Sequence, residues 1–497
     1  MDALRNFVAL AAAFALAGCS LAPKFEQPKV ETPNAFKAEA MTLPEGERGS
    51  WKVGEPAESQ PRGEWWKSFG DPALDQLIAE AMAANPGLQT AAARVLQSRA
   101  VLGITEADRI PQVSVGVGPF NSRPSPASQG LPPGADGPSN TLYRANAVAS
   151  YELDLFGRVK NNVSAARTDL EGAEATFRSV MLSLQADVAR TYFELRETDN
   201  DIALLKEGVR LREATLKLNE ARYGAGDIGE LDVARARTEL AVNRTELSAA
   251  QGRRVRIENA LAILLGKPPA NFSLAADANP ATIPTIPAGL PSSLLERRPD
   301  VVAAQRALVS ANARIGVAKA AFFPQIKLTG QAGFESDQAS DLFRWSSRTW
   351  FFGPFLGALI SVPILDGGRN RNELARVKAV YEESVGRYRE SVLLAFGEVE
   401  DSLAGLRSLS AQASTAEEAV TSARRAAKLA QIRYEAGATG YLEVIEAQRT
   451  ALVVVREENR IRGARATGTV ALIRNLGGGW GEVPPTASAE PERVSSR

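Results

Sequence analysis

Histidine is missing from this chain of 497 residues, and with it goes the commonest general base and metal ligand. H-E-x-x-H zinc sites and Ser-His-Asp triads are therefore excluded. A carboxylate-only or lysine-based site remains chemically open, but no spacing marks one. Gly266-Lys267 lacks the upstream glycine that a phosphate-cradling loop requires. The reading is of a non-enzyme with no catalytic residue and no metal ligand. One charged constellation stands out, Tyr441-Leu442-Glu443-Val444-Ile445-Glu446, with Arg449 one turn further. Positions 443 and 446 share one face of a helix; taken alone, such residues make a solvated face whose i,i+3 pairs are worth ~0.2–0.5 kcal/mol each.

The single cysteine, Cys19, cannot form an internal disulfide. It ends the run Leu16-Ala17-Gly18-Cys19 after an apolar stretch, Phe7 to Ala17, far short of the ~20 apolar residues of a spanning helix. The run resembles the lipobox of a bacterial lipoprotein signal peptide, in which the leader is removed and the new N-terminal cysteine is acylated. The expected non-protein group is thus a covalent lipid (palmitate) on Cys19, with no other cofactor. Asp2 is unusual in such a leader, leaving Arg5 and the terminal amine as its positive charges. Ser20 stands where an aspartate would signal retention in the inner membrane, so the resemblance puts the anchor in the outer membrane. The 58 basic and 58 acidic residues balance, and no overall field draws the chain to nucleic acid.

The elements that must position these residues are duplicated. Arg222-Tyr223-Gly224-Ala225-Gly226 returns as Arg433-Tyr434-Glu435-Ala436-Gly437, 211 positions later, and the same offset relates Gly229 to Gly440, Leu231 to Leu442 and Gly157-Arg158 to Gly368-Arg369. Pro111-Gln112-Val113 matches Pro324-Gln325-Ile326 at an offset of 213. The unit is far longer than the roughly 20–50 residues of a solenoid repeat, so each copy is a substructure with several elements.

Each copy carries strands and helices. Tyr143, Ala145, Ala147, Ala149, Tyr151 and Leu153 alternate with Arg144, Asn146, Ser150, Glu152 and Asp154, broken only by Val148. Ile326, Leu328, Ala332 and Phe334 alternate with Gln325, Lys327, Thr329 and Gln331. One apolar and one polar face over about ten residues suits a membrane barrel strand with a wet lumen, although soluble sheets alternate too. Val113, Val115 and Val117 mark a third strand, and 350–364 a fourth that carries Pro354 and Pro363. Four strands are too few for one barrel, because single-chain barrels start at roughly eight and open edges cannot face lipid. In a membrane, several chains must share the barrel.

Met181, Val188, Leu195, Ile202, Val209, Leu216 and Tyr223 are spaced by seven, as are Val392, Val399, Leu406, Ala413, Val420, Ala427 and Tyr434. This predicts coiled-coil-like packing, with helix over about 158–222, near 95 Å at ~1.5 Å per residue. Segments 72–109 and 231–265 add to a similar length, giving a rod or tube that reverses at Tyr223-Gly224-Ala225-Gly226 and Gly437-Ala438-Thr439-Gly440, where glycines suit turns. The Pro-rich stretch 267–291, with 34–67 and the tail, forms a belt outside the tube. The final residues, 484–497, have a disordered composition.

Trp65-Trp66-Lys67-Ser68-Phe69-Gly70-Asp71-Pro72-Ala73-Leu74 resembles the start of the outer-membrane factor family of efflux and secretion ducts, in its NodT-type, OprM-like lipoprotein branch, more distantly TolC-like. So do Leu294-Leu295-Glu296-Arg297-Arg298-Pro299-Asp300, Ala313-Arg314-Ile315-Gly316, Phe323-Pro324-Gln325-Ile326, Asp366-Gly367-Gly368-Arg369 and Leu476-Gly477-Gly478-Gly479-Trp480. The resemblance covers nearly the whole mature chain. It implies a mainly α protein with a β-barrel part: a homotrimer with a shared twelve-stranded transmembrane barrel, continued into the periplasm by an α-helical coiled-coil barrel. The implied domains are a signal peptide (1–18), an N-terminal anchor and equatorial segment (19–70), repeat 1 (71–266, strands about 112–118 and 143–155), an equatorial linker (267–291), repeat 2 (292–476, strands about 325–334 and 350–364) and a tail (477–497).

By the same resemblance the chain is the outer-membrane exit duct of a tripartite multidrug efflux system, passive itself, served by a periplasmic adaptor (membrane fusion protein) and an inner-membrane pump of the resistance-nodulation-division (RND) type, and surrounded by outer-membrane lipid. The family's aperture falls on Leu442, Glu443 and Glu446, with Arg449 beside it. Glutamate at 443 and 446 replaces the commoner aspartate. Tyr434 and Asp232 match positions that link neighbouring helices and hold the tip shut, while Thr439 replaces an arginine of the TolC-like pattern. Two alternatives share parts of this description: an exit channel for type I protein secretion, and a non-channel structural lipoprotein, which would need the heptads but no polar-faced strands.

Overall fold

The computed structural model describes residues 21–30, 64–130, 132, 139–278, 283–284, 298–352 and 358–478. Cys19, the segment 1–18, most of the tail and parts of 19–70 and of the linker 267–291 lie outside them. The chain divides into two compact units, Met1–Lys29, Arg94–Glu174 and Ala303–Arg389 in the first, and Val30–Ala93, Ala175–Val302 and Glu390–Arg497 in the second. The helices in chain order are α1 (Pro72–Ala84), α2 (Pro86–Ala107), α3 (Arg158–Gly224), α4 (Glu230–Leu264), α5 (Pro299–Ala320), α6 (Arg369–Glu435) and α7 (Tyr441–Asn475). None among the described residues is both long and apolar enough to cross a membrane.

The first unit holds one antiparallel sheet of β1 (Gln112–Ser122), β2 (Asn140–Leu153), β3 (Gln325–Ser336), β4 (Arg348–Phe352) and β5 (Ala358–Ser361). The order is β1-β2-β3, with β4 and β5 both along the far edge of β3. The stretch expected as one strand over 350–364 is thus two short ones; Pro363 falls just past the second, and residues 353–357 lie outside the described set. Proline removes a ladder donor, which fits this placement.

Register decides the faces. Val113, Val115 and Val117 stand opposite Ala149, Ala147 and Ala145, which stand opposite Gly330, Ala332 and Phe334. Trp350 and Phe352 continue the row on β4, and Leu328 and Ile326 continue it to Ala358 and Ile360 on β5. Because successive side chains alternate, all these groups share one apolar face, on which Val113, Val115 and Val117 are 66, 76 and 72 % exposed. The other face carries Ser114, Asn146, Ser150, Gln331, Thr329 and Lys327, and there Arg144 Nε donates to Glu335 Oε2 at 2.6 Å. Strands β2 and β3 approach so closely at Gly333 that a Cβ there would lie 2.2 Å from the Ala145 carbonyl oxygen.

Where strand gives way to helix, the two copies use one device. Asp154 accepts from the N–H groups of Val159 and Lys160 at 3.1 and 2.7 Å, and Asp366 from Gly368 and Asn370 at 2.8 and 3.0 Å. These side chains occupy the orphan donors of the long helices. The Asn370 and Gly368 amides hold the Asp366 carboxyl below its ordinary value. Nearby, Ile315 and Ala318 of α5 pack on Val377 of α6. Gly316 completes the Ala-Arg-Ile-Gly motif because a Cβ there would meet Asn161 Nδ2 at 2.5 Å.

In the second unit the Trp-Trp motif builds the core. Trp65 and Phe69 pack with Leu74, Ile78, Tyr192, Phe193, Leu195, Leu261 and Ile473, each large apolar group contributing about 1.5–3 kcal/mol on burial. Asp71 caps α1 through the N–H groups of Ala73 and Leu74 and accepts from the Tyr192 hydroxyl at 2.7 Å. Burial, then this bond, pushes the Tyr192 phenol up. The helix expected over 72–109 is broken at Asn85-Pro86. Pro86 starts α2, a position where its missing N–H costs nothing, and Asn85 accepts from Leu88 N–H at 3.0 Å while its amide donates to Leu264 O at 2.9 Å.

Candidate functional site

The two helix-reversing turns are the same motif used twice. Gly226 N–H donates to Tyr223 O and Asp227 N–H to Arg222 O; Gly437 N–H donates to Tyr434 O and Ala438 N–H to Arg433 O. This is the hydrogen-bond pair of a Schellman turn, and Gly226 and Gly437 take its left-handed conformation at φ 80° and 71°.

Side chains then make the two turns unlike. Tyr434 is buried and its repeat mate Tyr223 is 47 % exposed. The Tyr434 hydroxyl donates to Asn219 Oδ1 at 2.8 Å, the Arg222 guanidinium lies 5.0 Å from its ring centroid, and the Tyr441 ring lies 5.5 Å away. Val444, Ile445, Tyr441 and Ala236 complete this small core. Burial pushes the Tyr441 phenol up to about 12.

With Tyr441, Val444 and Ile445 turned inward, α7 presents Leu442, Glu443 and Glu446 outward. The two carboxylates and Ala447 form one wall of a groove of about 450 Å³ whose other wall includes Ala423, Ala426 and Ala430. Arg433 Nη1 lies 3.8 Å from Glu443 Oε2, with both side chains more than half exposed; Glu446 has no ion pair among the described residues. The groove thus carries two carboxylates against the one guanidinium of Arg433.

Arg449 does not close a pair with Glu446 along its own helix. It reaches α4 and pairs with Glu239, which is nearly buried and also lies 3.9 Å from the buried Arg212 on α3. Burial, only partly offset by Glu239, holds the Arg212 guanidinium below its ordinary value. Seven residues on, Arg456 donates to Asp201 on α3 at 2.6 Å and to Glu246 on α4 at 2.7 Å. Asp232 accepts from Arg235 of its own helix at 3.4 Å; the hydrogen bond of Tyr434 goes to Asn219. Asn219, Glu239, Arg212 and the Arg456 cluster are not singled out by the sequence pattern. One signal is there in retrospect: 239 to 246 and 449 to 456 are both heptad steps.

Residues 77–267 and 290–478 match the family described as "Outer membrane efflux protein", once over each copy of the repeat. The chain is 32% identical over 471 residues to the cation efflux system protein CusC of Escherichia coli O6:H1, covering 94% of this chain and 97% of that protein. It is 31% identical over 480 residues to the probable outer membrane lipoprotein SilC of Salmonella typhimurium, covering 96% and 99%. Among solved structures, the CmeC outer membrane channel of Campylobacter jejuni superposes with a TM-score of 0.82 at 25% identity, covering 93% of this chain and 95% of that one.

Proposed function

This chain belongs to the outer membrane efflux protein family and has the fold of its channels, and we propose that it is the exit duct of a tripartite drug-efflux system, a homotrimer that a periplasmic adaptor and an RND-type pump feed from within. The observation that carries this reading is the two-faced sheet. Its apolar face runs from Val113 across to Trp350, its opposite face is polar, and among the described residues β1 and the β4/β5 side each leave an edge unpaired. Unpaired backbone cannot face hydrocarbon, so the sheet needs further copies to close around a wet lumen. Three copies supply a barrel of ordinary size. The lipid on Cys19 anchors each copy in the outer membrane.

Leu442, Glu443 and Glu446 form the periplasmic constriction, repeated around the threefold axis. Carboxylate rings favour cations and turn anions away by charge, while an apolar ring excludes water. Tyr434 and Asp232 hold the turns in the closed arrangement, and Arg449 ties α7 to its neighbour. The duct is passive; transport energy comes from the pump.

Single-channel conductance of the detergent-extracted trimer in planar bilayers tests this, with wild type beside Glu443→Ala/Glu446→Ala. A small cation-selective conductance that grows and loses selectivity in the variant is expected. Silence from both forms, with the trimer intact, would sink the duct reading and favour a structural lipoprotein.

A further inference from the structure

At the foot of the sheet, where β2 runs into α3, the first unit holds a cavity of about 310 Å³ whose lining includes Asp108, Arg109, Tyr151, Glu152, Asp154 and Lys160. Two of its acids are already engaged. Glu152 accepts both hydrogen bonds of a fork from Arg158 at 2.7 and 2.8 Å, and Asp154 is committed to the amides that start α3. That leaves Arg109, Lys160 and Asp108, which make no ion pair within 4.0 Å among the described residues, with Asp108 acting on the Arg158 guanidinium from further off.

The cavity also adjoins the apolar face. Tyr151 stands opposite Leu328, which stands opposite Ala358, and Leu153 stands opposite Ile326, which stands opposite Ile360. Tyrosine with an apolar body and a polar tip suits the boundary between hydrocarbon and head groups. The second copy differs at this place. Where the first has Asp108-Arg109, the matching positions are Ala321-Phe322, and the adjacent Phe323 stacks on Phe156 at 4.8 Å.

We infer that this cavity binds the head group of an ethanolamine glycerophospholipid, its phosphate on Arg109 and Lys160, its ammonium on Asp108, and its acyl chains along the apolar face from Tyr151 toward Ala149 and Ala147. Two unpaired cations match a phosphate through charge-assisted hydrogen bonds, and the third, opposite charge selects a zwitterion over an anionic lipid. The inference rests on the reading that the sheet lies in a membrane. It gives each protomer one fixed lipid at the periplasmic leaflet.

Native mass spectrometry of the intact trimer, exposed in neutral detergent to dioleoyl phosphatidylethanolamine, dioleoyl phosphatidylglycerol or inorganic phosphate, tests it. Wild type should retain up to one phosphatidylethanolamine per protomer in preference to phosphatidylglycerol. Arg109→Gln/Lys160→Gln should weaken that retention about tenfold or more, near 1.4 kcal/mol, and Asp108→Asn should abolish the preference between the two lipids. Equal retention of both lipids by wild type, retention unchanged in the double variant, or capture of phosphate alone would overturn the site. The trimer mass in the same spectrum reports folding. Conductance of the same preparations reads the duct independently, so a conducting variant with unchanged lipid retention sinks this inference without touching the function.

Discussion

The Tyr434 hydroxyl donates to Asn219 Oδ1 at 2.8 Å across 215 positions of sequence, and no equivalent bond exists in the other copy, where Ala430 stands in place of Asn219. Tyr434 therefore ties its turn to the helix that ends at the other turn, a bond that the exposed Tyr223 has no partner to make in return. Tyr434→Phe keeps the ring and its tilted contact with Tyr441 but leaves a buried acceptor without its donor, a cost of about 1–3 kcal/mol. In bilayers the variant should show longer open events than wild type. The same change at Tyr223 should leave gating unaltered, and equal effects at both positions would show that the bond does not hold the turn.

Glu239 predicts a sharper asymmetry. It is shared by Arg449, which is 62 % exposed, and Arg212, which is 7 % exposed. Arg449→Ala removes a cation that water can replace, and exposed pairs are worth about 0–1 kcal/mol. Glu239→Ala strands Arg212 in a buried setting, where breaking a pair costs about 3–5 kcal/mol. Thermal denaturation should rank Glu239→Ala far below Arg449→Ala, with Glu239→Ala/Arg212→Met recovering part of the loss. Similar melting temperatures for the two single variants would mean that Arg212 is not held by Glu239.

Much of this was legible in the sequence, and the rest was hidden for physical reasons. Heptad spacing located both 67-residue helices, because every position of the two series except Tyr223 turns at least partly inward. Period-two alternation located the strands, since it records burial on one side. Neither pattern records which helix lies beside which, so the partners of Arg449, Arg456 and Tyr434 could not be read from spacing along one helix. The break at Asn85-Pro86 was present in the proline itself. The division of the expected fourth strand into β4 and β5 depends on how each piece pairs with β3, which spacing does not record.

Glycine at two sheet positions separates necessity from tolerance. A methyl group at Gly333 would meet the Ala145 carbonyl oxygen at 2.2 Å and Asn146 Cα at 2.5 Å, while at Gly118 nothing lies within 4 Å. Backbone atoms of a paired strand cannot step aside without breaking the ladder. Gly333→Ala should therefore reduce the yield of heat-resistant trimer on semi-native gels severely, and Gly118→Ala should leave it unchanged. A normal trimer from Gly333→Ala would show that β2 and β3 do not approach this closely.

Arg298 gives the Leu-Leu-Glu-Arg-Arg-Pro-Asp motif its physical meaning. Its guanidinium, only 9 % exposed, grips Asp300 through Nε and Nη2 at 3.1 and 2.6 Å. Its third nitrogen, Nη1, donates to Glu398 Oε2 at 2.6 Å and to the Asn475 carbonyl at 3.1 Å. One side chain thus joins the start of α5 to α6 and to the end of α7. Burial alone would raise the Asp300 carboxyl, but the Arg298 fork outweighs it and holds the group below its ordinary value. A carboxyl lowered in the folded state adds stability that is complete above its unfolded pKa, about 3.9 for aspartate, and is lost as pH falls through the lower folded value. Acidification from pH ~5 through that window should therefore lower the wild-type melting temperature, and Asp300→Asn should begin lower and fall less steeply. Arg298→Ala should cost about 1–3 kcal/mol for the buried Asn475 carbonyl left without its donor, since Asp300 and Glu398 are exposed enough for water to take up their charge. Arg298→Lys should recover little, because a lysine cannot make the planar fork. Parallel pH profiles for wild type and Asp300→Asn would show that this pair does not govern the acid response.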